Sequence, residues 1–546
     1  MKYLEFDCGC RFPLVKEGGF RPFVKITLDV EDHDFQCKRT WDMIGSGDTK
    51  GVFQIESQLG QQLSKRLKPT NIEQLSALTA IMRPGCMESK DHNGKSVTDR
   101  YIDRKNGEEP VTYYHSSLEP ALNKTFGELI YQEEAMQIAR DIAGFSLQDA
   151  DVLRKAIGKK KPEEMAKVKT MFLDGCKKLS IVSDEQALEI WNGIEKSQRY
   201  SFNKSHAVSY GIVAYLTAYC KAHLPECFFT AYLKHSANEA DQSEEVHQLV
   251  NNAKLLNIDV CPPDIRKRNK RFKLYDDGIF FGLIDIKGIG ESAYNKINKV
   301  IESVPQPINT WSKLDFIFNV APAIGFTNAI SLISAGAVAF LDSNRTLMIY
   351  ECQKVKELTD KELEYIIANV LPRGFNSVAK VFEYILSLPV GRGQAISSKT
   401  RHAKIFGFYN SLSRPTHNLQ DSAGWIARTE KELLGISITC SEVDDCDISF
   451  ANCTCKEFLD GHRANPMIGA KLEKIKEITI KNGKSVGKKM AFLGLSDSSC
   501  SLDATIFSDA YENYKHLLLE GNTILLAGKR DSKRGGLIVD KIWQLK

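Results

Sequence analysis

The sequence predicts a multidomain, mainly α protein that ends in a β-barrel of the OB type. Residues 47–235 contain long stretches of helical hydrophobic period, separated by Pro and Gly. A Gly-Ile-Gly element at residues 288–290 lies between two short stretches of helical pattern. Residues 466–546 read as five short alternating strands with one helix between the third and the fourth, which is the layout of an OB-type barrel.

Length and composition restrict the protein class. A chain of 546 residues is too long for one ordinary domain. Its 42% hydrophobic and 26% charged residues are typical of globular proteins. The net charge of +4 is small, so a nucleic-acid surface must come from local clusters of basic residues. The sequence has no signal-peptide layout and no apolar run near the roughly 18 residues of a membrane span, so we expect no membrane association and a cytoplasmic location.

Residues 1–45 form the first predicted element, a short β-rich segment that contains the run "FVKITLDV" and a dense acidic patch. Asp29, Glu31 and Asp32 are the candidate catalytic carboxylates of this patch, and Asp34 lies beside them. Neighbouring residues on a strand point to opposite faces, so an exposed acidic turn is the alternative to a metal site.

A helical domain is predicted over residues 46–235, and it contains two runs suited to anions. The run "DADVLRKAIGKKKPEEMAKVK" gathers basic residues into a locally positive surface that fits a triphosphate or a duplex backbone, and a solvated helix face is the alternative. Its candidates are Arg154, Lys155, Lys159, Lys160 and Lys161. The run "SQRYSFNKSHA" at residues 197–207 combines fixed positive charges, aromatic faces and hydrogen-bonding side chains, which suits anionic ligands that can stack.

In residues 236–345, Gly288 and Gly290 lie in "DIKGIGESAYNKI", with Lys287 before them. Backbone amides at the start of the second helix would grip a DNA phosphate without reading sequence, and a simple interhelical turn is the alternative. Residues 346–465 give the least regular pattern, and the Gly/Ser-rich stretch "LPVGRGQAISSKTRHAK" predicts a loop or linker.

The predicted barrel at residues 466–546 carries basic loops beside its strands. Single-stranded nucleic acid is the ligand we expect there, with a solvated charge run as the alternative. The candidate contacts are Lys488, Lys489, Lys529 and Arg530.

Fourteen cysteines are present, and most lie singly in apolar or helical contexts, as reduced buried thiols do. Two close pairs differ, namely Cys8 with Cys10 and Cys453 with Cys455. A Cys-x-Cys pair without a second well-spaced pair is weak evidence for zinc, so metal binding by either pair stays open.

Four segments together resemble the fingers region of the C-family replicative DNA polymerases, the alpha subunit of bacterial DNA polymerase III. They are "GDTKGVFQIES" (47–57), "LTAIMRPGCMES" (78–89), the run 101–167 and "YSFNKSHAVSYGIVAYLTAYCKAHLPECFF" (200–229). The resemblance continues more loosely through "FGLIDIKGIGE", "RTEKELLGISIT" and the barrel. This order implies fingers over 46–235, a helix-hairpin-helix region over 236–345, a connector over 346–465 and an OB-type domain over 466–546.

The resemblance also implies roles for the candidate residues. Arg154 and Lys155 would neutralise the triphosphate of the incoming nucleotide, although the family commonly has Arg at both positions and Lys155 lacks the planar fork. The residues of the second run would line the nucleotide and template side of the fingers, and a helix-start histidine is the alternative for His206. These residues are Tyr200, Asn203, Lys204, Ser205 and His206.

The family places a PHP domain and a palm before the fingers, and palm carboxylates hold two Mg²⁺ ions about 4 Å apart. Residues 1–45 are too few to build a palm, so they are interpreted as a palm remnant or a docking segment. We expect a short phage-type or split version for DNA replication, which binds dNTP with primed and single-stranded DNA while a palm-bearing partner chain holds the metals. A non-catalytic DNA-binding relative and a compact self-sufficient polymerase are the alternatives, so enzyme activity in this chain is open. The connector shows no sliding-clamp motif, and clamp contact stays open.

Overall fold

The computed structural model describes residues 2–15, 23–24, 27–91, 93–159, 162–197, 200–236, 241–461, 465–480, 485–531 and 535–545. Two compact units divide the chain, unit 1 at Met1–Pro225 and unit 2 at Glu226–Lys546. No helix in these described ranges is both long enough and apolar enough to cross a membrane.

Unit 1 begins with a three-stranded antiparallel sheet and continues in helices. Its strands are β1 (Lys2–Glu5), β2 (Arg11–Val15) and β3 (Phe23–Val24). Its first helices are α1 (Lys38–Ser46), α2 (Gln58–Leu67), α3 (Ile72–Ile81), α4 (Pro84–Glu88), α5 (Val97–Lys105) and α6 (Glu119–Leu122). They are followed by α7 (Gln132–Ala143), α8 (Leu147–Lys159), α9 (Pro162–Leu179), α10 (Asp184–Ser197) and α11 (Lys204–His223).

Two apolar cores hold unit 1 together. The first core packs α1, α2, α3, α5 and α11 around Trp41, Leu78 and Tyr215. The second core packs α7, α8, α9 and α10 around Phe172 and Trp191. Helix α3 is buried from Leu75 to Ile81, as expected for a helix covered by neighbours rather than by solvent.

Unit 2 starts with helices and a small sheet. Its helices are α12 (Pro225–His235), α13 (Gln242–Leu255), α14 (Glu291–Ser303), α15 (Lys313–Asp315), α16 (Ala321–Ile324), α17 (Phe326–Ser334), α18 (Arg345–Val355), α19 (Asp360–Asn369), α20 (Val378–Leu386), α21 (Lys399–Ser413), α22 (Ala423–Leu434), α23 (Cys455–Leu459) and α24 (Ser508–Tyr514). The small sheet consists of β4 (Val260–Cys261), β5 (Lys273–Tyr275) and β6 (Gly278–Phe280).

Short helical turns join many of these elements. The 3₁₀ turns are Val30–Asp32, Ser116–Leu118, Asn123–Thr125, Leu283–Asp285, Ile308–Thr310, Leu371–Arg373, Glu442–Asp445 and Lys515–Leu517. A π-helical turn spans Phe316–Val320.

A closed five-stranded barrel forms the end of unit 2. Its strands are β7 (Met467–Thr479), β8 (Lys489–Ser496), β9 (Ser501–Ile506), β10 (Thr523–Arg530) and β11 (Leu537–Gln544). The strand order is β10-β11-β9-β8-β7, in which β11 pairs parallel with β9 and β7 closes on β10. Helix α24 lies between the third and fourth strands, as predicted. The mainly α fold with a C-terminal barrel is therefore confirmed.

Candidate nucleic-acid interface

The start of α11 carries most of the residues predicted to bind nucleotide. Asn203 is the N-cap, and its Oδ1 accepts hydrogen bonds from the His206 backbone N–H (2.9 Å) and the Ser205 hydroxyl (2.7 Å). Its Nδ2 donates to Glu133 Oε1 (2.8 Å), and the Lys204 backbone N–H donates to Glu133 Oε2 (2.9 Å). The side chain of Asn203 and the hydroxyl of Ser205 therefore build the helix start, a use that Asn favours at this position.

Three aromatic side chains and a histidine contact one another beside this helix start, with tilted or edge-on rings, and we call them the aromatic row: Phe53, Phe202, His206 and Tyr210. The His206 ring lies 4.1 Å from the Tyr210 ring and 5.4 Å from the Phe202 ring, measured between centroids. Tyr210 continues to Phe53 at 5.1 Å. The Arg83 guanidinium lies 3.7 Å from the Phe202 ring centroid, within cation–π range. Because His206 is exposed and Phe53 is 37% exposed, ring faces and edges are available to a ligand.

A buried lysine holds the loop that carries Phe53. Lys221 of α11 is almost fully buried and donates to the backbone oxygens of Asp48 (3.1 Å) and Lys50 (3.0 Å). Its ammonium also pairs with the Asp48 carboxylate at 2.7 Å. A buried ammonium is costly unless it is paired and hydrogen-bonded, and here it meets both conditions. The loop of residues 47–57 is thus fixed to the same helix that presents His206 and Tyr210.

Lys204 lies between the aromatic row and a buried carboxyl group. Its Nζ is 5.5 Å from the centroid of the Tyr131 ring, and in the described part of the chain it forms no ion pair closer than 4.0 Å. Burial raises the pKa of Glu134 to about 7, although bonds from the N–H groups of Tyr131 and Ile130 (both 2.8 Å) and the Lys204 charge oppose the rise.

Arg154 and Lys155 lie on α8, which packs against α7, the helix whose Glu133 bonds the start of α11. Both share one carboxylate: the Arg154 Nη2 is 2.7 Å from Asp151 Oδ1, and the Lys155 Nζ is 2.8 Å from Asp151 Oδ2. Their side chains remain 36% and 56% exposed. Asp151 partly neutralises the pair, which sequence reasoning did not anticipate, although an i to i+3 and i+4 spacing could have indicated it.

The remaining nucleotide and DNA candidates on unit 1 are Tyr200 and the three lysines at positions 159–161. Tyr200 is half-buried and packs against the core of unit 1, and burial raises the pKa of its hydroxyl. Lys160 and Lys161 lie outside the described residues, as does the side chain of Lys159.

The acidic candidates form an exposed turn, the alternative to a metal site that the sequence left open. Val30–Asp32 is a 3₁₀ turn in which Asp29 Oδ1 accepts a hydrogen bond from the Glu31 backbone N–H (3.3 Å). The Asp32 carboxylate accepts a bond from the Thr27 hydroxyl (2.9 Å). Aspartate side chains that bond nearby backbone favour turns over strands, which is the physical reason. Among described residues these carboxylates belong to no group of three or more potential metal donors, so the geometry gives no support to a two-Mg²⁺ site here.

In unit 2, the Gly-Ile-Gly element forms an exposed hairpin before α14. Lys287, Gly288 and Gly290 are exposed, while Ile289 is buried and anchors the loop. Gly288 has φ of +92°, and a Cβ added to Gly288 or to Gly290 would meet no atom within 4 Å. The backbone is therefore open to the close approach of a phosphate.

A basic cavity of about 910 Å³ lies near this hairpin in sequence and was not predicted. Its lining includes the basic residues Lys234, Arg268, Lys270, Arg271 and Lys273, together with His235. Several of these charges are already paired, as Arg271 is with Asp285 at 3.3 Å. The run "RKRNKRFK" at residues 266–273 is the sequence pattern that could have indicated this cavity.

The four candidate residues of the barrel lie on or next to strands β8 and β10. Strand pairing links Ala491 with Ile506, Ile506 with Val539, and Ile538 with Lys529. Lys489 on β8 and Lys529 on β10 are thus separated by β9 and β11 on this side of the barrel, and Lys488 directly precedes Lys489. Arg530 serves the fold instead, because its guanidinium bonds the backbone oxygens of Phe458 and Leu459 at the end of α23.

Comparison with known families gives two matches. Residues 20–180 match the profile of the bacterial DNA polymerase III alpha subunit finger domain. Residues 257–348 match the profile of a helix-hairpin-helix motif.

Curated proteins named DNA polymerase III subunit alpha are similar to nearly the whole chain. That of Borreliella burgdorferi is 30% identical over 521 residues, which is 94% of this chain and 41% of the relative. Those of Escherichia coli K12 (29% over 536 residues) and Thermus aquaticus (31% over 535 residues) cover 93% and 95% of this chain. The chain spans about two fifths of the length of these relatives, at 41% and 39% for the latter two. The resemblance to the C-family polymerases is confirmed, whereas the phage-type origin stays a prediction.

Proposed function

We propose that this chain, a relative of the C-family replicative DNA polymerases, supplies the nucleotide-binding and DNA-binding surfaces of a DNA polymerase III alpha-like subunit in DNA replication. The substrate class is a deoxynucleoside triphosphate paired with a primed template. The chain would hold the incoming nucleotide in unit 1 and contact DNA through unit 2.

The aromatic row beside Lys204 is the observation that carries the proposal. A nucleotide presents a stackable base and a polyanion, and this surface combines exposed ring faces with an ammonium that has no carboxylate partner within ion-pair distance among the described residues. A surface that only tracked a DNA backbone would need charges without a ring at its centre. Nucleotide binding therefore accounts for both the exposed rings and the Lys204 ammonium.

Arg154 and Lys155 would contribute further charge to the triphosphate. Their helix α8 packs on α7, and α7 also holds the start of α11 through Glu133. Asp151 would have to give up part of its bonding when a phosphate arrives, because one carboxylate now occupies both cations. The two cations are thus kept in place before a nucleotide binds.

DNA contact in unit 2 would be mostly to phosphates. The exposed backbone at Gly288 and Gly290 suits a DNA phosphate, and the exposed barrel lysines Lys488, Lys489 and Lys529 suit a single strand. Such contacts depend strongly on salt and weakly on sequence. Primed DNA, which has a duplex and a single strand, would use both surfaces.

Nucleotidyl transfer needs carboxylates that hold two metal ions. The described residues of this chain include no such group of carboxylates. We propose that these carboxylates come from residues outside this sequence, either on a longer polypeptide or on a palm-bearing partner chain. We also propose a cytoplasmic site of action, where replication proteins meet DNA. Contact with a sliding clamp remains an open part of the proposal.

Lys204→Ala tests the proposal. Loss of a charge-assisted phosphate contact costs about 1.5–3 kcal/mol, so the affinity for a fluorescent dNTP on primed DNA should fall on the order of 10- to 100-fold. Lys124→Ala is the matched control, because Lys124 is also a unit 1 lysine and pairs with Glu73 at an exposed site. Equal dNTP affinity in Lys204→Ala and the unchanged chain would overturn the proposal.

A second function, DNA binding without any part in nucleotide incorporation, is favoured by the exposed acidic turn at Asp29–Asp32. Nothing in that turn is organised for metal chemistry among the described residues. This alternative predicts salt-sensitive DNA binding together with no measurable dNTP affinity. The same titration therefore separates the two functions.

A further inference from the structure

Four side chains from three distant parts of unit 1 converge on one point. Cys8, Cys10, Cys37 and His223 each offer a donor atom, and all four donor atoms lie within 4.8 Å of one another. Cys8 and Cys10 are half-buried, whereas Cys37 and His223 are buried at 7% and 3% exposure. We call these four residues the thiol–imidazole cluster.

The hairpin between β1 and β2 brings the first two thiols together. The Phe6 N–H donates to the Cys10 oxygen (3.0 Å), and the Gly9 N–H donates to the Phe6 oxygen (2.9 Å). Gly9 has φ of +85°, a conformation that glycine adopts without strain. This tight turn places two cysteine side chains next to each other at the tip of the hairpin.

Cys37 and His223 complete the cluster from two helix ends. Cys37 is the N-cap of α1, and its N–H donates to the Tyr215 hydroxyl (3.2 Å). His223 is the last residue of α11, and its Nε2 lies 3.3 Å from Cys37 Sγ. The imidazole is enclosed by Phe6, Phe12 and Tyr219, with ring centroids at 4.7, 5.3 and 4.4 Å.

The Nδ1 atom of His223 is buried and has no hydrogen-bond partner among the described residues. The nitrogen that faces the thiols is Nε2, which lies 3.3 Å from Cys37 Sγ, so the imidazole offers a donor atom to the cluster. The cluster also borders an open cavity of about 630 Å³, lined by Cys8, Cys10 and Cys37. An ion from solvent could therefore reach the thiols.

We propose that the thiol–imidazole cluster is a structural Zn²⁺ site of the Cys₃His type. In a tetrahedral site with Zn–S of roughly 2.3 Å and Zn–N of roughly 2.0 Å, neighbouring donor atoms are roughly 3.5–3.8 Å apart. Donor atoms that all lie within 4.8 Å, with one pair at 3.3 Å, need only small shifts to reach this geometry. Three soft sulfur donors and one imidazole select zinc over hard cations.

Two other uses of the cluster explain less of it. A disulfide would consume two thiols and leave the third thiol and the imidazole without a role. An isolated pair of Cys37 and His223 would leave Cys8 and Cys10 close together for no reason. Zinc accounts for all four residues, and it would tie the β1–β2 hairpin and α1 to the end of α11.

The site would act on stability rather than on nucleotide chemistry. Helix α11 has 20 residues, so His223 and the helix start at Lys204 are roughly 28 Å apart along its axis. The outer contacts fit a stabilising role, because Arg39 Nε donates to the Ala222 oxygen (2.9 Å) and its Nη1 is 3.2 Å from an Asp7 carboxylate oxygen. Through these bonds, Arg39 links the hairpin to the end of α11.

The test is metal content of the full chain purified under reducing conditions without added metal. Mass spectrometry of the elements should find about one zinc ion per chain, as a single closed site requires. Cobalt exchanged for zinc should give the thiolate charge-transfer and tetrahedral ligand-field absorption bands. Cys37→Ser and His223→Ala should each lose the ion, whereas Cys227→Ser, a change at an exposed cysteine outside the cluster, should keep it.

A variant that keeps four donors guards against simple misfolding. Cys8→His replaces one ligand by another that zinc accepts, so this variant should keep the ion, while Cys8→Ser at the same half-buried position should bind it at least tenfold more weakly. Circular dichroism checks that both variants are folded. Absence of zinc from the unchanged chain, even after refolding with ZnCl₂ and thiol reductant, would overturn the proposal. Full zinc content in Cys37→Ser together with His223→Ala would overturn it as well.

Discussion

Asn203 and Glu133 show how individual side chains arrange the candidate nucleotide surface. Both are occupied in building the start of α11, which leaves the Lys204 ammonium and the rings of His206 and Tyr210 for a ligand. The sequence run around Asn203 was predicted as a set of equal ligand contacts. Its residues instead divide into those that hold the helix start and those that face outward, because polar side chains near an N-cap bond orphan backbone groups first.

Asp151→Asn and Arg154→Ala should change triphosphate affinity in opposite directions. The aspartate now competes with a phosphate for Arg154 and Lys155, so its neutralisation should tighten dATP binding severalfold, while loss of the arginine should weaken binding on the order of tenfold. Isothermal titration calorimetry measures both affinities. Asp174→Asn, at an exposed aspartate of α9, controls for the change in net charge. Weaker binding in Asp151→Asn would contradict the assignment.

Glu134 should make stability depend on pH. Its pKa is raised to about 7 in the folded chain from an ordinary 4.5, so the folded state holds a proton that the unfolded state releases between these values. Stability from this group is therefore greatest below about pH 4.5, falls as pH rises through 7 and is constant above it. Glu134→Gln, which keeps the shape and an oxygen acceptor, should match the unchanged chain near pH 5 and exceed it by about 3 kcal/mol near pH 8.5. Urea unfolding measures the difference, and a difference that does not vary with pH would contradict the assignment.

At the scale of elements, features that depend on local sequence pattern were predicted more completely than features that depend on contacts between distant residues. Buried and more exposed residues alternate along β8 and β9, and a short turn joins these two strands, so period and turn residues were sufficient to predict this part of the barrel. For the acidic stretch at Asp29–Asp32, the sequence left open a metal site or an exposed turn, and side-chain bonding to the backbone forms the turn. The aromatic row was missed since Phe53 reaches it from a loop more than 140 positions away in sequence.

Gly290→Ala tests the hairpin before α14. An added methyl group meets no atom within 4 Å and the backbone conformation is an ordinary one, so the fold should be unaffected. The same methyl group would stand where a phosphate must approach the amides, and duplex affinity should fall on the order of tenfold. Gly407→Ala on α21, where space is also open, is the control. Fluorescence anisotropy with labelled duplex DNA measures the effect, and unchanged affinity in Gly290→Ala would contradict a phosphate contact there.

For the whole molecule, the sequence predicted the family, the helical part and the barrel, but not how residues far apart in the chain assemble. Cys8 and Cys10 were weak evidence for a metal by themselves, because their partners Cys37 and His223 follow up to 215 positions later and only folding brings them together. The basic cavity around Arg268 and Lys270 was overlooked for a similar reason, since its walls come from α12 and from the segment before β5. Both features depend on tertiary packing rather than on local pattern.

Primer extension by the purified chain, with dNTP retention read on the same sample, tests the central claim most directly. The account predicts that the chain holds a labelled complementary dNTP on primed DNA in the presence of Mg²⁺, while the primer keeps its length. Among the described residues, the carboxylates do not form a two-metal site, and we therefore expect no nucleotidyl transfer. Extension of the primer by this chain alone, abolished by Asp29→Ala or Asp32→Ala, would contradict the account and place the catalytic carboxylates in the acidic turn.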